Sequence, residues 1–245
     1  MLQISRSTKH LRCALLMAVL CAVAACSHHA APAVVAPPET SVRPGINKAY
    51  ADDPNVDSWR GRFEIESREI WSERAKIVAA LGPLDGITLA DVGAGTGFLA
   101  RLFTAKVGTK GRVFAVDILP AFLEHMRTEA AREGLTNMQV LEGGERTCNL
   151  AVGSCDVVFS SDTYHHFEYP RSMNASIFAA LKPGGTYAVI DFVRIEGTSR
   201  KWILDHVRAG EEVVRAEIEA AGFEFVRAER FLQENYLLLF RKPAR

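Results

Sequence analysis

Cysteine is scarce in the part of this sequence able to build a domain. Of five cysteines, Cys13, Cys21 and Cys26 fall within the first 26 residues, and only Cys148 and Cys155 lie beyond them. Their number and spacing exclude a disulfide framework and a cysteine metal site, so no metal is expected. The two either close one short loop in an oxidising compartment or stay as unpaired thiols, one at the start of a buried strand; the second option is preferred. No stretch is apolar over the ~20 residues that a membrane-spanning helix requires. Net charge is also missing, with 29 Lys and Arg against 29 Asp and Glu. Residues 1–25 hold three of those bases (Arg6, Lys9, Arg12) and no acid, so 26 basic residues face 29 acidic ones in the remainder. That balance excludes the electrostatic footprint of a nucleic-acid binder, and no nucleic-acid partner is expected. No internal repeat is visible, which sets repeat architectures aside. What remains is a globular composition, 48% hydrophobic and 24% charged over 245 residues, with room for one sizeable α/β domain and not two.

The first segment reads as an address. Arg6, Lys9 and Arg12 precede the wholly apolar Cys13–Ala25, the pattern of a secretory signal peptide over residues 1–25. Val23-Ala24-Ala25-Cys26 resembles a bacterial lipobox, in which the cysteine is lipidated and becomes the mature N-terminus. Ser27 is similar to the residues that let such lipoproteins proceed to the outer membrane of Gram-negative cells. This resemblance implies a periplasmic protein held to the membrane through Cys26. The first lipobox position is more often Leu than Val, so a plain signal-peptide cut near Ala25 stays open. Residues 26–45, rich in proline and alanine, cannot make a core and are expected to be a tether.

From Ile46 onward the pattern alternates. Apolar positions at helical spacing (Phe63, Ile70, Ile77, Ala80) predict a helix over 62–81, and residues 46–82 form an N-terminal helical segment. Its charges, such as Glu64 with Arg68 and Glu69 with Glu73, suit a solvated face better than a lid. Strands are predicted at Ile87–Val92, Arg112–Asp117, Met138–Leu141, Asp156–Ser161 and Thr186–Val193. Helices are predicted at Phe98–Lys106, Pro120–Arg132 and Tyr169–Leu181, with a long one over Arg200–Ala221 ended by Gly222. Phe223–Leu232 and Tyr236–Arg241 form a closing strand pair. The alternation predicts a mostly parallel α/β sheet covered on both faces, with ligands at the carboxyl ends of strands.

Asp91-Val92-Gly93-Ala94-Gly95-Thr96-Gly97 sits where the first strand meets the next helix. Glycines there let the backbone turn sharply and approach a ligand, and the amides of such a turn can bind an anion. The dinucleotide fingerprint Gly-x-Gly-x-x-Gly would require glycine at position 98, where Phe98 stands, which opposes an NAD-binding oxidoreductase. Asp91 is placed to meet an ammonium group, and Asp117 ends the second strand, where an acid accepts both hydroxyls of a ribose. From Ile87 to Phe192, including Leu181-Lys182-Pro183-Gly184-Gly185, the chain resembles a class I S-adenosylmethionine-dependent methyltransferase. The resemblance implies a Rossmann-like, seven-stranded sheet with an antiparallel C-terminal edge and S-adenosyl-L-methionine as cofactor. It places the methionine part on Asp91, Gly93, Ala94, Gly95 and Gly97, the ribose on Asp117 and the adenine on Ile118. Ser160 and Asp162 would line the methyl-donor side. One departure stands out: where relatives often carry an acid after Gly143, this chain has Gly144. Either Glu145 substitutes or backbone alone holds the adenine.

Tyr164, His165 and His166 follow the fourth strand, on the face where the activated methyl group should lie. Histidine titrates in the range a general base needs. The alternatives are that the histidines cap the next helix or pack under the lid, and that Tyr164 is a donor-site wall. His206 and Arg208 are further candidates to reach the pocket. Arsenite methyltransferases share this core but rely on extra cysteines, so that activity is set aside. The resulting expectation is an exported methyltransferase acting on a small-molecule or lipid-like acceptor. A catalytically silent exported scaffold with the same fold is the alternative.

Overall fold

The computed structural model describes residues 38–53, 55–65 and 68–244. The expected leader, the lipobox and most of the tether lie outside the described residues. In chain order the elements are α1 (Lys48–Asp52), α2 (Val56–Phe63), α3 (Glu69–Ser72), α4 (Arg74–Ala80), β1 (Thr88–Val92), α5 (Phe98–Val107), β2 (Arg112–Asp117), α6 (Pro120–Glu133) and β3 (Met138–Glu142). They continue as β4 (Cys155–Ser161), a 3₁₀ turn (Tyr164–His166), α7 (Pro170–Ala180), β5 (Leu181–Phe192), α8 (Lys201–His206), α9 (Glu211–Ala220), β6 (Glu224–Glu229) and β7 (Asn235–Arg241). No helix among the described residues is long and apolar enough to cross a membrane.

The seven strands lie in the order β3-β2-β1-β4-β5-β7-β6. β1 to β5 pair in parallel, and β7 runs antiparallel between β5 and β6. Strand order reverses between β1 and β4, the crevice where such sheets bind ligands. Neighbouring residues along each strand point to opposite faces, which gives two cores. Leu89, Val157, Phe159, Ala188 and Leu239 face α4, α5 and α6 through Ile77, Phe103 and Met126. Ala90, Val158, Val189 and Leu238 face α7 and α9 through Ile177 and Ile218.

Three expected elements differ. The helix expected over 62–81 is broken into pieces because its charged residues turn inward. Glu64 pairs with Arg101, Arg68 with Asp162, and the Glu69 carboxylate accepts the N–H groups of Gln233 (2.6 Å) and Glu234 (2.8 Å). The expected solvated helix face is therefore corrected. The long helix over Arg200–Ala221 splits at residues 207–210. Arg194 donates to the carbonyls of Val207 (2.9 Å) and Leu204 (3.0 Å), capturing the end of α8, and Gly210 starts α9 from an extended backbone. Lys182-Pro183-Gly184-Gly185 is taken into β5 as an irregularity, with register slipping between the Cys155 and Val157 pairings. Cys148 and Cys155 are both free thiols and buried.

The packing between the faces yields a stability prediction. Phe159 is fully buried and meets Phe103 edge-on at 5.1 Å between ring centroids. Phe159→Ala should cost about 3–5 kcal/mol, read from the urea midpoint. A loss below about 1 kcal/mol would show that this core is not cooperatively packed.

Candidate active site

The turns after β1, β2 and β4 build the floor of one large cavity. After Val92, the amides of Gly93 and Ala94 donate to the carbonyl of Val116 at 2.8 and 3.0 Å, tying the β1 turn to β2. Gly93 has φ 77°, and a Cβ there would lie 2.1 Å from the Thr163 side chain. Only glycine lets this turn pass so close to the turn after β4. Thr163 Oγ1 lies 3.1 Å from the Gly93 carbonyl and 2.9 Å from that of Ser161, joining the two turns. The Gly95 amide donates to Asp117 Oδ2 (2.8 Å), and the Gly97 amide to the Ala94 carbonyl (2.8 Å). These four amides are engaged inside the protein, which corrects the expectation of free anion donors. The loop's contribution is close approach.

Above this floor is a cavity of about 810 Å³. Asp91, Gly93, Ala94, Gly95, Asp117, Ile118, Gly144, Glu145, Asp162, His165 and His166 all line it. Three expected site residues do not. Gly97 caps α5 against Met126, where a Cβ would lie 2.8 Å from the Met126 side chain. Ser160 points to the opposite face of β4, fully buried beside the Tyr187 hydroxyl; its neighbour Ser161 reaches the cavity instead. Tyr164 turns away as well: its hydroxyl donates to Glu217 (2.9 Å) and accepts from Asn174 (2.8 Å), and the side chain is wholly buried. A catalytic role for Tyr164 is therefore withdrawn. Arg208 is held on Glu217 at 2.7 Å, away from the cavity, whereas His206 lines it.

The electrostatics are set by burial. Asp91, only 3% exposed, is pushed up to about 7 by desolvation and then by the nearby Asp117. Burial also raises Asp117, against the lowering effect of N–H bonds from Leu119 and Gly95. Asp162 is pushed up to about 6 by burial, partly offset by Arg68, and accepts from Asn235 Nδ2 at 2.6 Å. Its φ of 49° is unusual for a non-glycine residue. Burial, with His165 next, lowers His166 well below the ordinary histidine range. Burial and His165 also lower His206.

The other wall comes from residues that the sequence pattern did not flag. Tyr50, Trp59 and Phe63 from the N-terminal segment join Phe122 in an aromatic cluster, with Tyr50 and Trp59 centroids 4.4 Å apart. Helical spacing marked Phe63 as core, and no motif surrounds Tyr50 or Trp59. Arg68 was read as surface because its partner, Asp162, is 94 residues away.

S-adenosylmethionine fits this donor set. It carries an ammonium group, ribose hydroxyls and a flat apolar base, and the cavity offers two buried carboxylates and an aromatic wall. Thr96 Oγ1 and Ser161 Oγ, both on the wall, are buried without a hydrogen-bond partner among the described residues. Such orphaned groups suit a polar ligand.

Comparisons with known proteins agree. Residues 89–185 match a family profile described as a methyltransferase domain. A demethylmenaquinone methyltransferase of Lactococcus lactis is 27% identical over 137 residues, 56% of this chain and 54% of that enzyme. An arsenite methyltransferase of Halobacterium salinarum is 29% identical over 119 residues, 49% of this chain and 30% of that enzyme. The chain thus spans about half the length of the curated relatives it matches. The crystal structure of a SAM-dependent methyltransferase from Aquifex aeolicus superimposes with a TM-score of 0.69 at 25% identity, covering 78% of this chain and 98% of that one. Strand order, glycine turn and the match over residues 89–185 together give this chain the class I methyltransferase fold and make it similar to S-adenosylmethionine-dependent methyltransferases.

Proposed function

We propose that this protein transfers a methyl group from S-adenosylmethionine to a small-molecule or lipid-like acceptor at the cell envelope. The observation that carries the reading is the pair of buried carboxylates, Asp91 and Asp117, at the ends of adjacent strands and facing one cavity. The cofactor supplies a methyl group activated on a sulfonium. Asp91 would hold the ammonium group and Asp117 the ribose hydroxyls. Each Asp117 oxygen already accepts one N–H and keeps a further lone pair for a ribose hydroxyl. Ile118 would pack on the adenine, with Gly144 and Glu145 at its edge.

The acceptor end lies toward His165, His166, Tyr50 and Phe192, which share the cavity wall. Asp191 holds the His165 ring, with Oδ1 2.7 Å from Nδ1. Alignment of acceptor and donor does most of the work in a methyl transfer. A wall of aromatic rings and fixed imidazoles supports a largely apolar acceptor with one reactive oxygen or carbon. The naming of a relative for demethylmenaquinone supports the same class.

Calorimetric titration of S-adenosylmethionine into the full chain should show micromolar binding. Asp117→Ala should weaken it at least about tenfold, since two hydrogen bonds to a charged group are lost. Labelled methyl should reach a lipid-quinol extract with wild type only. Binding without transfer to any acceptor would favour a silent scaffold, and no binding by folded protein would remove the methyltransferase reading.

Asp91 makes a sharper prediction. Free Asp91 is largely protonated below pH 7, and an ammonium beside it favours the carboxylate. Binding at pH 6 should therefore release protons, and the release should fade above about pH 8. Titrations in two buffers of different ionisation heat measure this, and Asp91→Asn should abolish the release. Equal heats in both buffers for wild type would show that Asp91 does not meet the ammonium.

We also propose export with a lipid on Cys26, supported by the charged and apolar leader that precedes it. Labelled palmitate should enter the wild-type chain and not Cys26→Ser. Unlabelled wild type in the envelope would leave plain signal-peptide cleavage.

A further inference from the structure

Three imidazoles converge at the acceptor end of the cavity from two separate parts of the chain. His165 and His166 come from the 3₁₀ turn after β4, and His206 ends α8 after β5. One ring nitrogen of each lies within 4.8 Å of those of the other two. His166 Nε2 and His206 Nε2 are 3.4 Å apart. That is long for a hydrogen bond between rings. It matches the edge of a tetrahedral site: metal–nitrogen bonds of 2.0–2.1 Å place the ligand nitrogens about 3.4 Å apart.

The surroundings have the features of a ligating set. Asp191 fixes His165 through Nδ1 (2.7 Å) and is itself fixed by the backbone N–H groups of His165 and Phe192, both at 2.8 Å. This leaves Nε2 as the free nitrogen of His165, in the carboxylate–histidine arrangement that orients metal-bound imidazoles. The three rings meet at 43°, 60° and 78°, so none is stacked flat on another. Arg43, which donates to the Asp205 carbonyl, opposes a cation near His206; Asp191 offsets it. The Tyr50 hydroxyl stands 3.4 Å from His166 Nε2.

We propose that His165, His166 and His206 form a binding site for one divalent transition-metal ion of the zinc class, with its fourth position open to the cavity. All three residues line that cavity, so the open position faces the space where the acceptor enters. The ion would take an oxygen of the acceptor as its fourth ligand and neutralise charge on it. That last role rests on the methyl-transfer reading; metal binding does not.

The test uses the full chain, stripped with a chelator and titrated with Zn2+ by calorimetry, then with Co2+ as a spectroscopic probe. One equivalent should bind at micromolar affinity or tighter, and Co2+ should give the intense visible bands of a tetrahedral site. His206→Ala should weaken binding at least tenfold, and Asp191→Asn should weaken it about 10–100-fold through His165. His206 lies on a partly exposed helix, so its variant should fold, and an unchanged far-ultraviolet circular dichroism spectrum with a cooperative thermal transition checks that. No stoichiometric uptake by folded wild type overturns the proposal. Uptake undiminished in His206→Ala also overturns it, by placing the metal elsewhere, such as on His28-His29. Metal uptake without S-adenosylmethionine binding would sink the methyltransferase reading and leave this site standing.

Discussion

The structure depends on one close approach, that of the turn after β1 to the turn after β4 at Gly93 and Thr163. A side chain at 93 would overlap Thr163, and the threonine hydroxyl bridges the two turns. The contact sits where strand order reverses, so it fixes the spacing of the crevice itself. Asp91 stands two residues before Gly93, on β1. Asp117 enters the same crevice from β2 by accepting the Gly95 amide. Asp162 directly precedes Thr163, and the histidine turn directly follows it. The two halves of the cavity are thus positioned by a single junction of backbone with no room for a Cβ.

A second constraint is charge drawn inward. Asp91, Asp117 and Asp162 are buried carboxylates, and burial raises each of them above the ordinary carboxylate range. Buried charges are expensive unless paired. Asp162 is paired with Arg68 and Asn235, and the N-terminal segment is pulled over the cavity by that pair. The helix broken between α2 and α4 follows from the same demand, because a continuous helix could not aim Glu64, Arg68 and Glu69 at three different partners. Arg68 and Glu69, two of the residues that interrupt the regular structure, also wall the site, as expected where function competes with local propensity.

Local patterns determined a good deal. The strand–helix alternation, the bounds of β2 and the break at Gly222 are set by short-range periodicity and by residues such as Pro120 and Gly134, whose backbone preferences act on the spot. The glycine turn with Asp91 and Asp117 was legible because each of those positions is fixed relative to the end of its own strand. Ser160 was misassigned for a local reason too: at a strand end, one residue of register exchanges the two faces, and Ser161 faces the cavity.

The tertiary structure decided what depends on distant partners. Tyr164 sits beside two histidines in sequence, but Glu217 and Asn174 hold it on the far side of the sheet. The helix after β5 ends at His206 because Arg194 captures its last carbonyls, and that stop delivers His206 to His166. Arg68 faces a carboxylate 94 residues away. The sequence by itself thus determined the fold class and the two buried carboxylates that line the cavity, because strand periodicity and turn chemistry act over a few residues. Only the packed chain decided which side chains share the histidine-lined end of the cavity, because burial and long-range pairing choose among faces that local spacing leaves equivalent.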